Sequence, residues 1–268
     1  MDWTLIPVFI AIGCIVGFIA GLLGIGGGMT MIPLLTLIFS YENFPPEHVL
    51  HIAVATSMAT IVFTSISSVR AHNVHRAVLW PVFWKLAPGI LIGSMGVPLI
   101  VSGMSTSLLA LIFGIFAAFT ATGLLRNRKP KATRDLPGSF GLFVFGLIIG
   151  GLSSMVGAGG GFISVPFLTS CNVRIHNAVA TSAALGLPIA AAGTVGFLIA
   201  GLRHSDLPPY TVGYIYLPAL VAIAGASVLV APAGVRLAHR WPVANLRRAF
   251  AALLYLIAAF FFWKALQA

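Results

Sequence analysis

Two glycine runs carry the residues best placed to bind a ligand through the backbone. Gly24-Ile25-Gly26-Gly27-Gly28 runs into Met29 and then Pro33; Gly157-Ala158-Gly159-Gly160-Gly161 runs into Phe162 and then Pro166. Without side chains, a ligand can approach the main chain. If a helix starts directly after each run, its first N–H groups (at Gly28, Met29, Gly161 and Phe162) lack intrahelical acceptors. They also lie at the positive end of the helix dipole, an arrangement that favours an anion. Close helix packing through small residues is the plainer explanation of the same glycines. Neither run is a nucleotide-binding phosphate loop, because no Gly-Lys-Ser/Thr follows. The expected anion-binding set is Gly26, Gly27, Gly28 and Met29 with Gly159, Gly160, Gly161 and Phe162.

A second pair of blocks adds hydroxyls and imidazoles. His51-Ile52-Ala53-Val54-Ala55-Thr56-Ser57 matches His176-Asn177-Ala178-Val179-Ala180-Thr181-Ser182. Thr56, Ser57, Thr181 and Ser182 could line an anion cavity, or they could bond a carbonyl one turn back or a neighbouring helix. His51 and His176 sit where a loop enters an apolar segment. They could cap or anchor that segment, or titrate during transport. As metal ligands they lack a carboxylate or thiolate companion in the sequence, so no metal is expected. Lys85 lies inside an apolar segment and either snorkels to the interface or faces a cavity as a gating charge. Arg70-Ala71-His72-Asn73-Val74-His75-Arg76 reads as a cytoplasmic anchor or as an electrostatic funnel for anions.

Catalytic constellations are thin. There is no HExxH and no GxSxG-type nucleophile turn, and no pair of carboxylates lies in an apolar segment. The expectation is a protein that is not an enzyme and needs no cofactor.

The elements that must position these residues are apolar segments. They run Leu5–Leu23, Met29–Phe39, Val49–Val69, Leu79–Val101 and Ser107–Leu125, then Phe140–Val156, Phe162–Leu168, Asn177–Ala200, Thr211–Ala231 and Ala244–Leu266. Hydrophobic residues make up 59% of the chain and charged residues 7%, a balance no water-soluble domain of 268 residues can bury. The chain is therefore read as an all-α polytopic membrane protein with eight to ten hydrophobic segments. Asp2 precedes the first segment with no Lys or Arg, which makes a poor signal peptide, so Leu5–Leu23 is read as a retained span. The eleven residues of Met29–Phe39 reach only about 17 Å as a helix, against a hydrocarbon core of about 30 Å.

The halves repeat. The glycine–proline blocks correspond at an offset of 133 (24 to 157, 28 to 161, 33 to 166) and the histidine blocks at 125 (51 to 176, 57 to 182). Two blocks in the same order with one change of loop length make coincidence a poor explanation, and Gly/Pro-interrupted short segments at matching positions mark transporter repeats. The boundaries follow: a first membrane repeat over 1–125, a basic linker over 126–138, and a second repeat over 139–268.

The net charge of +10 is read as orientation rather than nucleic-acid binding, because the cations are scattered among apolar segments. If each short segment doubles back as a hairpin, the repeats are inverted and both termini lie outside. Thirteen of the fifteen Lys and Arg then face the cytoplasm, and only Arg203 and Lys264 lie outside. If each pair is one broken span, the repeats are parallel and the split falls to ten against five. The inverted arrangement is preferred, with each repeat a glycine-broken hairpin plus three spanning helices.

With these blocks in place the chain resembles the TauE/SafE family, the sulfite-exporter-like anion permeases. The resemblance is carried by Gly21-Leu22-Leu23-Gly24-Ile25-Gly26-Gly27-Gly28 with Pro33, by Gly151-Leu152-Ser153-Ser154-Met155-Val156-Gly157-Ala158-Gly159-Gly160-Gly161 with Pro166, by the two histidine blocks, and by the basic linker. It implies about eight helices in the bacterial plasma membrane and a sulfur oxyanion as solute, such as sulfite or an organosulfonate. The expected partners are a small anionic solute and the lipid bilayer, with no nucleic acid and a homo-oligomer left open. A permease for another small metabolite and a non-transporting membrane subunit anchoring a partner are the alternatives.

Overall fold

The computed structural model describes residues 5–23, 27–74, 77–126, 135–238 and 243–267. Ten helices are seen: α1 (Leu5–Leu23), α2 (Gly28–Tyr41), α3 (Val49–Val74), α4 (Trp80–Val101), α5 (Thr106–Arg126), α6 (Ser139–Met155), α7 (Gly161–Ser170), α8 (Ile175–Gly201), α9 (Leu217–Ala238) and α10 (Val243–Gln267). Among the described residues, four stretches are long and apolar enough to cross a bilayer: Val49–Ser67, Trp80–Val101, Thr106–Gly123 and His176–Gly201. The shorter apolar helices accompany them. The protein is a multi-pass, all-α membrane protein, as its composition requires.

One segment differs from the sequence expectation. Thr211–Ala231 is not continuous helix, because its first residues form a small antiparallel ribbon, β1 (Thr211–Val212) with β2 (Ile215–Tyr216). Thr, Val, Ile and Tyr favour extended backbone, and Gly213 takes a positive φ of 56° in the turn between the strands. The ribbon lies against the end of α8, where a Cβ on Gly201 would overlap the Tyr214 backbone.

The short helices double back. Phe9 near the start of α1 and Phe39 near the end of α2 both pack edge-on against Tyr216, at ring distances of 6.1 and 5.5 Å. The open ends of α1 and α2 therefore lie at the same end of the molecule. In the second half, Phe145 early in α6 stacks on Phe167 late in α7 at 4.2 Å. Each pair doubles back as a hairpin, with Gly27 and Gly28 at the start of the returning helix in the first half and Gly157–Gly161 between the two helices in the second.

Packing crosses between the halves. α1 lies on α9 and α6 on α4, α5 lies on α10, and α3 pairs with α8. Glycines let the backbones meet: a Cβ on Gly89 or Gly93 of α4 would overlap a carbonyl oxygen of α6 (Phe143 or Leu147), and one on Gly17 of α1 would strike Ser227 of α9. Serines lock both crossings. Ser94 donates to the Gly150 carbonyl (3.0 Å) and Ser227 to the Gly13 carbonyl (2.9 Å). α3 is the most enclosed span, 78% buried against 39% for α4 and α5, so α3 sits at the centre.

Two ends are defined by contacts. At the ribbon end the α2–α3, α4–α5 and α8–β1 connections meet: Thr106 donates to the Pro46 and Glu47 carbonyls, and His48 meets Asp206. At the opposite end the Asn177 amide donates to the Ala77 carbonyl (3.0 Å), joining the α3–α4 connection to the start of α8.

Candidate functional site: the hairpin tips

The two glycine runs end in the same backbone device. Gly27 is the N-cap of α2 with φ 63°, and Gly160 is the N-cap of α7 with φ 76°. That left-handed conformation is open to glycine and costly for residues with a Cβ. In each half-helix the first turn closes on the cap: Thr30 donates its hydroxyl to the Gly27 carbonyl (2.7 Å), and Ser164 to the Gly160 carbonyl (2.8 Å). The helix starts therefore sit at the glycine breaks. Gly24, Gly26 and their neighbour Ile25 lie outside the described residues, so Gly26 has no structural account.

The tips touch. A Cβ on Gly28 would overlap the Gly157 carbonyl oxygen, and one on Gly157 would overlap Ile32 of α2. Ser57 from α3 reaches the same place, its hydroxyl 3.5 Å from the Gly28 carbonyl. From the other half, Ser182 of α8 bonds to Ser164 of α7, and Gly186 of α8 lies against the Gly159 carbonyl. Ser153 is buried beside Gly160, and its hydroxyl has no hydrogen-bond partner among the described residues. Met29 is buried and Phe162 half-buried. The structure thus brings Gly28 and Ser57 together against Gly157, and sets Gly159, Gly160 and Ser182 within the α7–α8 side of the same region, where Ser153, not singled out in the sequence, lies beside Gly160.

Thr56 and Thr181 are buried but are engaged elsewhere. The Tyr216 N–H, just before α9, donates to the Thr56 hydroxyl (3.1 Å); the Leu79 N–H, just before α4, donates to the Thr181 hydroxyl (2.9 Å). Each threonine caps the fourth helix of the other half.

The titrating candidates are dispersed. His51 is buried at the ribbon end, its Nδ1 3.1 Å from the Glu47 carbonyl and its Nε2 3.0 Å from the Val101 carbonyl. A neutral imidazole carries one N–H and can donate to only one of them. His176 and Lys85 are exposed, Lys85 beside the exposed Trp84. That setting suits snorkelling rather than a buried gate.

A group with no local sequence signal lies at the ribbon end. His48 Nε2 is 3.1 Å from Asp206 Oδ2 across 158 residues of chain, and His204 joins them. Tyr214 packs against the rings of His48, His51 and His204 at 5.4–5.5 Å. Burial, and then the charge of Asp206, push the Tyr214 hydroxyl up to about 12, so it stays a neutral donor. Asp206 is held below its ordinary range by its own backbone N–H and then by His48.

Crossed helices, with two glycine-capped helix starts packed close together, define a multi-pass, all-α membrane protein. The sequence model for "Sulfite exporter TauE/SafE" matches residues 9–261, and the chain belongs to that family. Among curated relatives, a probable membrane transporter protein of Haemophilus influenzae is 32% identical over 263 residues, covering 98% of this chain and 100% of that protein. Probable membrane transporter proteins of Methanocaldococcus jannaschii (28% over 249 residues, 91% and 90% covered) and Xylella fastidiosa (28% over 272 residues, 96% and 95%) are also similar. No solved structure matches the chain at a significant level. The protein is a membrane transporter of the TauE/SafE family, and that membership speaks for transport rather than catalysis.

Proposed function

We propose that the chain is a permease for a small anion of the sulfur-oxyanion class, sulfite or an organosulfonate, bound where the hairpin tips meet. The observation that carries this reading is the matched pair of left-handed glycine caps, Gly27 and Gly160, from which two half-helices start at touching tips. Backbone N–H groups at such starts, including those of Gly28, Met29 and Gly161, attract negative charge. Ser57, Ser153 and Ser182 add neutral donors suited to oxyanion oxygens. In this reading Thr56 and Thr181 hold the frame around the site.

The repeats are read as inverted, with the basic linker over 126–138 cytoplasmic, both termini outside, and the whole in a bacterial plasma membrane. Two contacts support the inversion. Parallel repeats would put the α2–α3 and α8–β1 connections on opposite sides, yet His48 and Asp206 are hydrogen-bonded. They would likewise separate the α3–α4 connection from the start of α8, yet Asn177 bonds Ala77. In this orientation the ribbon end is the outer mouth.

Counterflow in liposomes holding only the purified protein tests the proposal, with sulfite, sulfoacetate and a neutral metabolite as competitors. Sulfite or sulfoacetate should exchange and the neutral solute should not. Gly28→Ala, whose new methyl meets the Gly157 carbonyl, should cut exchange at least tenfold, whereas Gly123→Ala, with open space around it, should not. Equal exchange of the neutral solute, no flux at all, or normal sulfite exchange in Gly28→Ala would overturn the assignment.

A further inference from the structure

We propose that His48, His204 and Asp206 form a binding site for a divalent transition-metal ion of the zinc type, bridging the two halves at the ribbon end. One ligand atom from each residue lies within 4.8 Å of the other two. The closest pair, His48 Nε2 and Asp206 Oδ2, is 3.1 Å apart. Two ligands each about 2.1 Å from a tetrahedral zinc stand about 3.4 Å apart, so this pair needs little adjustment. Asp206 is exposed and His204 half-buried, so both have room to close on an ion. Two imidazoles with one carboxylate form a borderline donor set that suits zinc, cobalt or nickel better than magnesium or calcium.

A second observation at the same place points to a missing ligand. His48 Nδ1 and the Tyr214 hydroxyl are both buried with no hydrogen-bond partner among the described residues. Buried polar atoms normally find a partner. Tyr214 packs on the His48 and His204 rings, each at 5.5 Å, so the two orphaned atoms belong to the same cluster. A hydrated ion supplies a partner that the protein itself does not: a metal-bound water donates to the Tyr214 hydroxyl oxygen.

Position gives the site a consequence. His48 immediately precedes α3, and His204 and Asp206 follow α8, the two helices paired at the centre. A metal held between them ties the start of one to the end of the other and restrains their relative motion. Under the transport reading, the bound ion slows flux from the outer mouth; the binding itself does not depend on that reading.

The test uses the full chain purified through an affinity tag free of histidine. Cobalt(II) is the spectroscopic probe, and zinc is titrated calorimetrically. The wild type should bind one cobalt per chain with visible ligand-field absorption and release it to zinc. His48→Ala, His204→Gln and Asp206→Asn should each weaken zinc binding at least tenfold, while His176→Ala leaves it unchanged. Thermal unfolding without metal checks each fold; if His48→Ala does not fold, the His204 and Asp206 variants carry the comparison. Absence of saturable binding in the wild type, or undiminished binding in the variant lacking all three side chains, would overturn the site. Zinc binding without any effect of external zinc on anion exchange would overturn the consequence for flux and leave the permease reading untouched.

Discussion

Thr56 and Thr181 make the same bond twice, each accepting the N–H that precedes the fourth helix of the opposite half. Both hydroxyls are fully buried, and Tyr216 is buried with its partner. Removing the acceptor strands a buried donor, which costs about 1–3 kcal/mol. Thr56→Val keeps the shape and loses the acceptor, so it should lower stability by about that amount in detergent denaturation, and Thr56→Ser should restore most of it. Thr181→Val should cost less, because Leu79 is only half-buried and water can reach its N–H. An equal melting temperature for Thr56→Val and wild type would show that the crossed bonds do not hold the halves. The residue types at 56 and 181 are legible as a repeated hydroxyl, read as bonding a carbonyl one turn back or a neighbouring helix, or as lining an anion cavity. Their actual partner lies 160 residues away for Thr56 and 102 for Thr181, a separation no local pattern encodes.

At the scale of elements, the hairpins support the proposed inverted topology. The proposed inversion places Tyr41, Arg203 and Lys264 on the outer side and Arg70 and Arg174 on the inner side. Lys264 supports that grouping, since its ammonium donates to Ser40 at the end of α2 (2.9 Å). In a variant lacking Cys14 and Cys171, single cysteines at positions 41, 203 and 264 should label with an impermeant maleimide on intact cells, and cysteines at 70 and 174 only after permeabilisation. Labelling of 41 and 174 from the same side would sink the inverted arrangement. Most helices could be read in advance because a bilayer imposes a minimum apolar length and glycine–proline blocks interrupt it visibly. The ribbon at Thr211–Tyr216 could not, because its aromatic and β-branched residues are as apolar as the helix that follows. The cluster of His48, His204 and Asp206 was equally hidden: each residue stands in a different sequence context, and only the α3–α8 pairing brings them together.

For the whole molecule, the placement of charge bears on what drives transport. The five acids are Asp2, Glu42, Glu47, Asp135 and Asp206, and none falls within any of the ten described helices. Proton- or sodium-coupled carriers usually rely on carboxylates at membrane depth, so the described helices offer little for built-in cation coupling. An anion leaving a cell with a negative interior needs no such partner. A potential of 100 mV supplies about 2.3 kcal/mol per charge, enough for roughly a fifty-fold gradient of a monovalent anion. Efflux from liposomes clamped with potassium and valinomycin should therefore rise with an inside-negative potential and stay flat when a proton gradient is imposed at fixed potential. The comparison must use an anion whose charge does not change over the pH range, and a sulfonate meets that condition where sulfite does not. If efflux instead follows the proton gradient at constant potential, coupling runs through a group other than a helix carboxylate. His51, held between two carbonyls that a neutral ring cannot both satisfy, is then the side chain to replace first.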